Sequence, residues 1–294
     1  MAKKVVVAFS GGLDTSYNVM YLTKEMGYEV YAACANTGGF SPEQLKQNEE
    51  NAYKLGAVKY VTLDVTKEYY EKKKWLNAAT LLESVVVPFR GTEKGEEALY
   101  LLAMSHFNNE DHLTARSYFT GYFRSYPRGK YAEFCKFHVA YCYYLESPEA
   151  KLDQEFTRKA IDEFNSFLEL YPKSERVPDA NKYLDELREK LAYKAYLNVK
   201  LYNKLGNYQG NNYQSAIIAA QNAMKEYPGS KYEEDFAFLI LKSRFEEAEL
   251  SVESKKAERY GDTVDEYYNF INDFPNGKHR KEAQRIFEKS SGKK

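Results

Sequence analysis

Hydrophobic positions along this chain follow two different rhythms. Over residues 4–63, short β-branched runs alternate with stretches of helical period. Val5-Val6-Val7-Ala8-Phe9 predicts a buried strand, residues 15–26 a helix, residues 29–35 a second strand, residues 42–55 a second helix and residues 58–63 a third strand. Strands alternating with helices of this length predict right-handed βαβ crossovers and a parallel sheet. Three strands alone predict an open edge and an uncovered apolar face. From about residue 66 the strand signal stops and apolar residues recur at i, i+3, i+4 and i+7, as in Leu99, Leu102 and Ala103, then Tyr118, Phe119, Tyr122 and Phe123, then Ile161, Phe164, Phe167 and Leu168. The remainder is predicted to be all helix.

Within that remainder a motif recurs: Tyr126-Pro127-Arg-Gly-Lys-Tyr131, Tyr171-Pro172-Lys-Ser174, Tyr227-Pro228-Gly-Ser-Lys-Tyr232 and Phe274-Pro275-Asn-Gly-Lys278, at intervals of 45, 56 and 47 residues. Proline disfavours helical geometry in the residue before it and supplies no N–H, so each copy is predicted to end the second helix of a hairpin. Small residues stand where paired helices would touch, at Ala78, Ala79, Ala98, Ala103, Ala115, Ala132, Ala140, Ala160, Ala216 and Ala220. With a first unit opened by Tyr69, Tyr70, Trp75 and Ala78 and ending near Pro88, the pattern predicts five hairpins. The fold expected is mainly α, a tetratricopeptide-like solenoid over residues 66–290 preceded by a truncated α/β (βαβαβ) segment over residues 1–65. A solenoid of this kind binds through its concave face.

Composition narrows the function classes. The 294 residues carry 42 basic and 43 acidic side chains, a formal charge of −1, so no global field draws the chain to nucleic acid or to an anionic membrane. Cys34, Cys135 and Cys142 make no disulfide framework and no metal-ligand spacing, and His138, three residues after Cys135, is read as a core histidine. No metal site is expected. No apolar run approaches the ~20 residues of a membrane span, and no export signal is recognisable at the start, so the chain as written is expected to stay cytoplasmic. Basic runs at Lys72-Lys73-Lys74, Lys278-His-Arg-Lys281 and Lys293-Lys294 read as solvated surface, with docking of an acidic partner as the alternative for the tail.

Candidate chemistry lies between the first strand and the first helix, at Ser10-Gly11-Gly12-Leu-Asp14-Thr15-Ser16. Two glycines let backbone amides approach a phosphate, the hydroxyls add donors and the helix start adds its positive end, while Asp14 would cap the helix or help hold Mg²⁺. The longer string, Ala8-Phe-Ser-Gly-Gly-Leu-Asp-Thr-Ser16 with Tyr31-Ala-Ala-Cys-Ala-Asn-Thr-Gly38, resembles the start of the argininosuccinate synthetase family over about residues 3–71. The resemblance implies that Ala8, Ser10, Gly11, Gly12, Asp14, Thr15 and Ser16 cradle ATP phosphates and that Ala35 lies against the adenine. The family's citrulline and aspartate segments find no match, so complete ligase activity is not expected.

The helical half, about residues 67–285, resembles the BamD family, tetratricopeptide lipoproteins of the outer-membrane β-barrel assembly machinery. Tyr69-Tyr-Glu-Lys-Lys-Lys-Trp75, Gly91-Thr-Glu-Lys-Gly-Glu-Glu-Ala-Leu-Tyr100, Ala140-Tyr-Cys-Tyr-Tyr-Leu-Glu-Ser-Pro148, Leu152-Asp-Gln-Glu-Phe-Thr157 and Ala257-Glu-Arg-Tyr260 carry it. It implies a non-enzymatic scaffold at the periplasmic face of the outer membrane that needs no cofactor. Its partners would be unfolded outer-membrane proteins and the periplasmic domains of BamA, with the membrane engaged only indirectly. Glu253, Lys255, Lys256, Glu258 and Arg259 near the last hairpin are the expected partner contacts, while Tyr118 and Tyr122 read as core or, alternatively, as rings lining a groove for an extended client. The first 65–70 residues are expected to be foreign to this scaffold and to add little to its function. A nucleotide-binding fragment and a generic tetratricopeptide adaptor are the alternatives.

Overall fold

The computed structural model describes residues 3–36, 40–64 and 75–293. Contacts divide the chain into two compact units, residues 1–146 and 147–294. The first unit opens with β1 (Lys4–Ala8), α1 (Leu13–Lys24), β2 (Glu29–Asn36), α2 (Pro42–Lys54) and β3 (Lys59–Asp64). The strands are parallel in the order β1-β2-β3, with Val6 opposite Tyr31 and Ala33 opposite Val61. Two right-handed crossovers stepping in the same direction place both helices on one face. Accordingly Val19 of α1 and Ala52 of α2 share a core with Phe9, Val30, Ala32, Cys34 and Tyr60. Among the described residues no element covers the opposite face, where Val6 is 71% and Leu63 50% exposed. α2 starts on a reciprocal cap: Ser41 Oγ accepts the Gln44 N–H at 3.3 Å and Gln44 Oε1 accepts the Ser41 N–H at 2.8 Å. α1 begins at Leu13, two residues before the predicted start, because Gly12 already serves as its N-cap.

The first unit continues with α3 (Trp75–Val86), α4 (Glu93–Asn108), α5 (His112–Ser125) and α6 (Ala132–Leu145), each packed on the next. The second unit holds α7 (Glu155–Leu170), α8 (Val177–Leu205), α9 (Asn212–Glu226), α10 (Glu233–Glu249), α11 (Glu253–Asp273) and α12 (Arg280–Ser291), again packed in sequence. The fold class is therefore as expected: a small parallel sheet followed by a helical repeat-like region. All ten alanines singled out for close helix approach are buried. α3 ends two residues before Pro88. Tyr69, Tyr70, Lys72-Lys73-Lys74 and the expected join near residue 65 lie outside the described residues.

The aromatic–proline motif makes one turn four times. Tyr126, Tyr171, Tyr227 and Phe274 close α5, α7, α9 and α11 with φ between −132° and −125° and ψ between 58° and 63°. Each aromatic N–H donates to the carbonyl four residues back, at 2.8–2.9 Å. Each aromatic carbonyl then accepts from the residue three further on: Gly129 at 3.0 Å, Ser174 at 3.1 Å, Ser230 at 3.3 Å and Gly277 at 3.1 Å. The following proline forbids helical geometry at the aromatic, so the helix stops and a tight turn follows.

At the first, third and fourth of these turns a glutamate from an earlier helix fastens the chain as it leaves. Glu96 of α4 accepts the Lys130 N–H at 2.7 Å, Glu189 of α8 accepts the Lys231 N–H at 3.2 Å, and Glu234 of α10 accepts the His279 N–H at 2.8 Å. Glu96 also accepts the Tyr122 hydroxyl, which itself accepts the Tyr131 N–H at 3.0 Å. Gly129 fits this arrangement because a Cβ there would lie 2.4 Å from Glu96 Oε1 and 2.6 Å from the Tyr122 hydroxyl oxygen.

Gly129→Ala is therefore expected to destabilise the fold by about 1–3 kcal/mol through loss of the carboxylate's hydrogen bonds. Gly121→Ala, in the interior of α5 with nothing within 4 Å of the new methyl, is expected to stabilise it by about 0.5–1 kcal/mol. Urea denaturation of the two variants measures both signs; equal effects would contradict the assignment.

Candidate functional site

The chain leaves β1 at Ala8 and turns at Ser10, Gly11 and Gly12 into α1. Gly11 has φ +81°, and a Cβ there would lie 2.0 Å from Asn48 Oδ1. Asn48 of α2 occupies that space in order to donate to the Ser10 carbonyl at 3.2 Å. Gly12 caps α1 without a side-chain acceptor, and its own N–H donates to Ser10 Oγ at 3.4 Å. Thr15 Oγ1 donates to the Gly12 carbonyl at 3.1 Å and lies 3.3 Å from Ser10 Oγ. Ser10, Gly11, Gly12 and Thr15 are thus gathered into one exposed turn, with half-buried Ser16 closing the first helical bond through its N–H to the Gly12 carbonyl at 3.0 Å. Ala8 and Ala35 sit exposed toward the carboxyl ends of neighbouring strands, where Ala8 pairs with Ala33. Asp14 does not cap the helix as expected: α1 already starts at Leu13, and Asp14 stands exposed inside its first turn. Hydroxyls and helix-start amides form a donor set that suits a phosphate.

The residues expected to meet partners separate into two groups. Glu253, Lys255 and Glu258 are exposed at the start of α11, and half-buried Lys256 pairs with Glu253 at 2.9 Å. Arg259 instead points inward, 3.1 Å from Glu247. That buried carboxylate also accepts from Asn211 Nδ2 at 2.8 Å and Gln214 Nε2 at 2.6 Å, so Arg259 ties α11 to α9 and α10. Tyr122 offers no surface to a partner: it is fully buried, with its hydroxyl committed to Glu96. Tyr118 is half-buried, donates to Glu83 at 3.0 Å and stacks on His106 with 5.3 Å between centroids. Periodicity placed both tyrosines on the apolar stripe, which in α5 is the core stripe.

The basic tail is likewise engaged within the fold. Lys278 reaches Asp235 at 2.6 Å and Lys293 reaches Glu249 at 2.8 Å. Cys135 and Cys142 are buried in α6, where desolvation pushes the Cys142 thiol up to about 12. His138 is buried, with Nδ1 2.9 Å from the Phe134 carbonyl and its ring stacked on Phe134 at 3.8 Å. Among the described residues no group of His, Cys, Asp or Glu is arranged to hold a metal ion, and no helix is long and apolar enough to cross a membrane.

The second unit contains a groove. It has two adjoining lobes of about 710 and 490 Å³ between α7, α8 and α9, joined at Arg158, Leu191, Glu226 and Tyr227. One wall is the loop of residues 147–154. Buried Gln154 holds that loop by donating to the Glu149, Leu152 and Asp153 carbonyls at 2.8, 3.1 and 3.3 Å. Lys190 adds a bond to Ser147 Oγ at 2.7 Å, and its desolvation holds the ammonium below its ordinary range.

Comparison with known proteins gives two different matches. The family model described as YfiO, outer membrane lipoprotein, matches residues 63–210, half of the chain. The argininosuccinate synthase N-terminal HUP domain matches residues 4–83. Curated relatives include argininosuccinate synthases from Xanthomonas axonopodis pv. citri, 37% identical over 35% of this chain and 22% of theirs, and from Moorella thermoacetica, 45% identical over 26% and 18%. That of Hyperthermus butylicus is 46% identical over 24% and 17%. The chain thus spans about a fifth of the length of the synthases it matches. The two matched spans overlap at residues 63–83, across the undescribed segment.

The C-terminal tie generates a pH prediction. The Lys293 ammonium, joined by the Tyr260 hydroxyl, holds the Glu249 carboxyl below its usual value. A carboxylate with a depressed folded-state value stabilises the fold above its unfolded value and loses that contribution as pH falls through the folded one. The stability advantage of the native chain over Glu249→Gln is therefore expected to shrink as pH falls from about 7 to about 3, read by thermal unfolding. An advantage that stays constant or grows would contradict the pairing.

Proposed function

The chain belongs to the YfiO family of outer membrane lipoproteins, and from that premise we propose that it is a non-catalytic scaffold of outer-membrane β-barrel assembly. It receives unfolded outer-membrane proteins and docks the periplasmic domains of BamA. The observation that carries this reading is the extent of the YfiO match over helices that follow one another through a repeated turn. A repeat-like helical region offers grooves and helix faces rather than an enclosed reaction chamber, which suits extended protein ligands. Glu253, Lys255 and Glu258, exposed together on α11, are the docking residues in this reading, while Arg259 supports them through Glu247. A generic peptide-binding adaptor would use the same grooves but would not select BamA.

Pull-down of the purified periplasmic domains of BamA by the full chain is the test. Capture is expected, weakened by the combined substitution Glu253→Lys, Lys255→Glu and Glu258→Lys. Failure to retain any of the domains would overturn the assignment.

The N-terminal segment supports a second, narrower reading: ATP binding without ligase turnover. The matched HUP domain and the gathered Ser10–Thr15 donors favour it. Ser10, Gly11, Gly12, Thr15 and Ser16 would hold the phosphates, Ala8 and Ala35 would line the nucleotide, and Asp14 would face its Mg²⁺. The phosphates would supply charge for the helix start to bind, and no reaction follows from these residues alone. Titration calorimetry of the full chain with ATP and Mg²⁺ is expected to give heat that Asp14→Ala reduces. No heat up to millimolar nucleotide, or heat unaffected by that change, would remove this reading.

A further inference from the structure

The groove of the second unit is electrically divided. Its smaller lobe carries Lys151, Arg158 and Lys194 at the rim, against the single carboxylate of Glu226. That carboxylate already accepts the Tyr227 hydroxyl at 2.7 Å. Among the described residues, Lys151 and Arg158 have no carboxylate within ion-pair distance, and Lys194 donates to the Leu152 carbonyl at 2.5 Å. The floor below is apolar and shallow: Leu191 and Ala195 from α8 meet Ala219 and Ala223 from α9. The larger lobe has the opposite bias, with Asp162, Asp185 and Glu189 beside Arg188.

We propose that this groove binds an extended peptide segment of a partner protein whose internal Asp or Glu side chains meet Lys151, Arg158 and Lys194 while its apolar side chains rest on the alanine floor. Cations without a carboxylate partner, set over an apolar surface, select carboxylates, because an approaching anion gains charge-assisted hydrogen bonds and breaks no existing ion pair. The small floor residues allow the segment's backbone to come close to α8 and α9. The groove continues past Arg158 and Tyr227 into the larger lobe, so a segment passes through rather than ending there. The carboxylates it meets therefore belong to side chains and not to a chain terminus. The reversed charge of the second lobe fixes the direction in which the segment lies.

The proposal rests on reading the helical region as a binding scaffold but names a site and a ligand chemistry that the reading does not supply. It is tested with the full chain and a fluorescent decapeptide, acetylated and amidated, in which Glu alternates with apolar residues, alongside its Gln-for-Glu counterpart. Anisotropy is expected to show the Glu peptide binding about ten-fold more tightly than the Gln peptide, and weakening as salt screens the rim charges. Lys151→Glu with Arg158→Glu is expected to abolish that preference, with the circular dichroism melt unchanged. Arg188→Glu, in the other lobe, is expected to preserve it. Equal binding of the two peptides, or equal losses in the Arg158→Glu and Arg188→Glu variants, would overturn the proposal. A chain that captures BamA domains but shows no Glu preference loses this proposal alone. One that prefers the Glu peptide but captures no BamA domain loses the assembly assignment alone.

Discussion

A glutamate that reaches from one helix to the backbone leaving a later turn is the constraint on which the helical part depends. The aromatic–proline pair stops a helix, but stopping it does not say where the chain goes next. That direction is set when Glu96, Glu189 or Glu234 accepts the N–H of Lys130, Lys231 or His279. A hydrogen bond to a charged group contributes about 1.5–3 kcal/mol, several times the scale on which ordinary surface substitutions act. The bond also explains the small residue in the turn, since Gly129 and Gly277 leave the volume that Glu96 and Glu234 fill. Backbone direction, side-chain space and charge are therefore satisfied by the same few atoms.

With the turns fixed, the helices can lie close, and the buried alanines make that approach possible. Close helices leave grooves where a longer helix overhangs shorter neighbours. α8, with 29 residues, borders both lobes of the groove in the second unit. The N-terminal segment obeys different physics: its sheet is covered on one face only, and its phosphate-type turn is held by Asn48. The two family matches overlap at residues 63–83. The YfiO model covers residues 63–210, whereas the chain spans only about a fifth of the synthases it matches.

Much of this was legible in the sequence. The strands were visible because β-branched runs such as Val5-Val6-Val7 have little alternative, and the four turns because proline acts on its neighbour whatever the fold. The alanine positions followed from helical period alone. What stayed hidden was long-range and polar. Glu96 lies 34 residues before the amide it holds, and Glu234 lies 45 before its own, so nothing local distinguishes them from surface glutamates. Arg259 looked like a surface cation because its partner, Glu247, becomes buried only when α9, α10 and α11 meet. Tyr122 reads as core or as a groove ring because an apolar stripe does not reveal whether solvent or another helix covers it. The sequence leaves Asp14 open as a cap or a Mg²⁺ ligand because glycine at position 12 gives no side-chain signal of its own.

Hydrogen exchange at the Lys130, Lys231 and His279 amides reads the carboxylate latch itself, since each sits in a turn where an unlatched N–H would exchange with solvent freely. The carboxylate latch predicts that all three exchange as slowly as amides in the interiors of α5, α9 and α11. Exchange at the rate of an open loop, at all three positions in a chain whose helices remain protected, would contradict it.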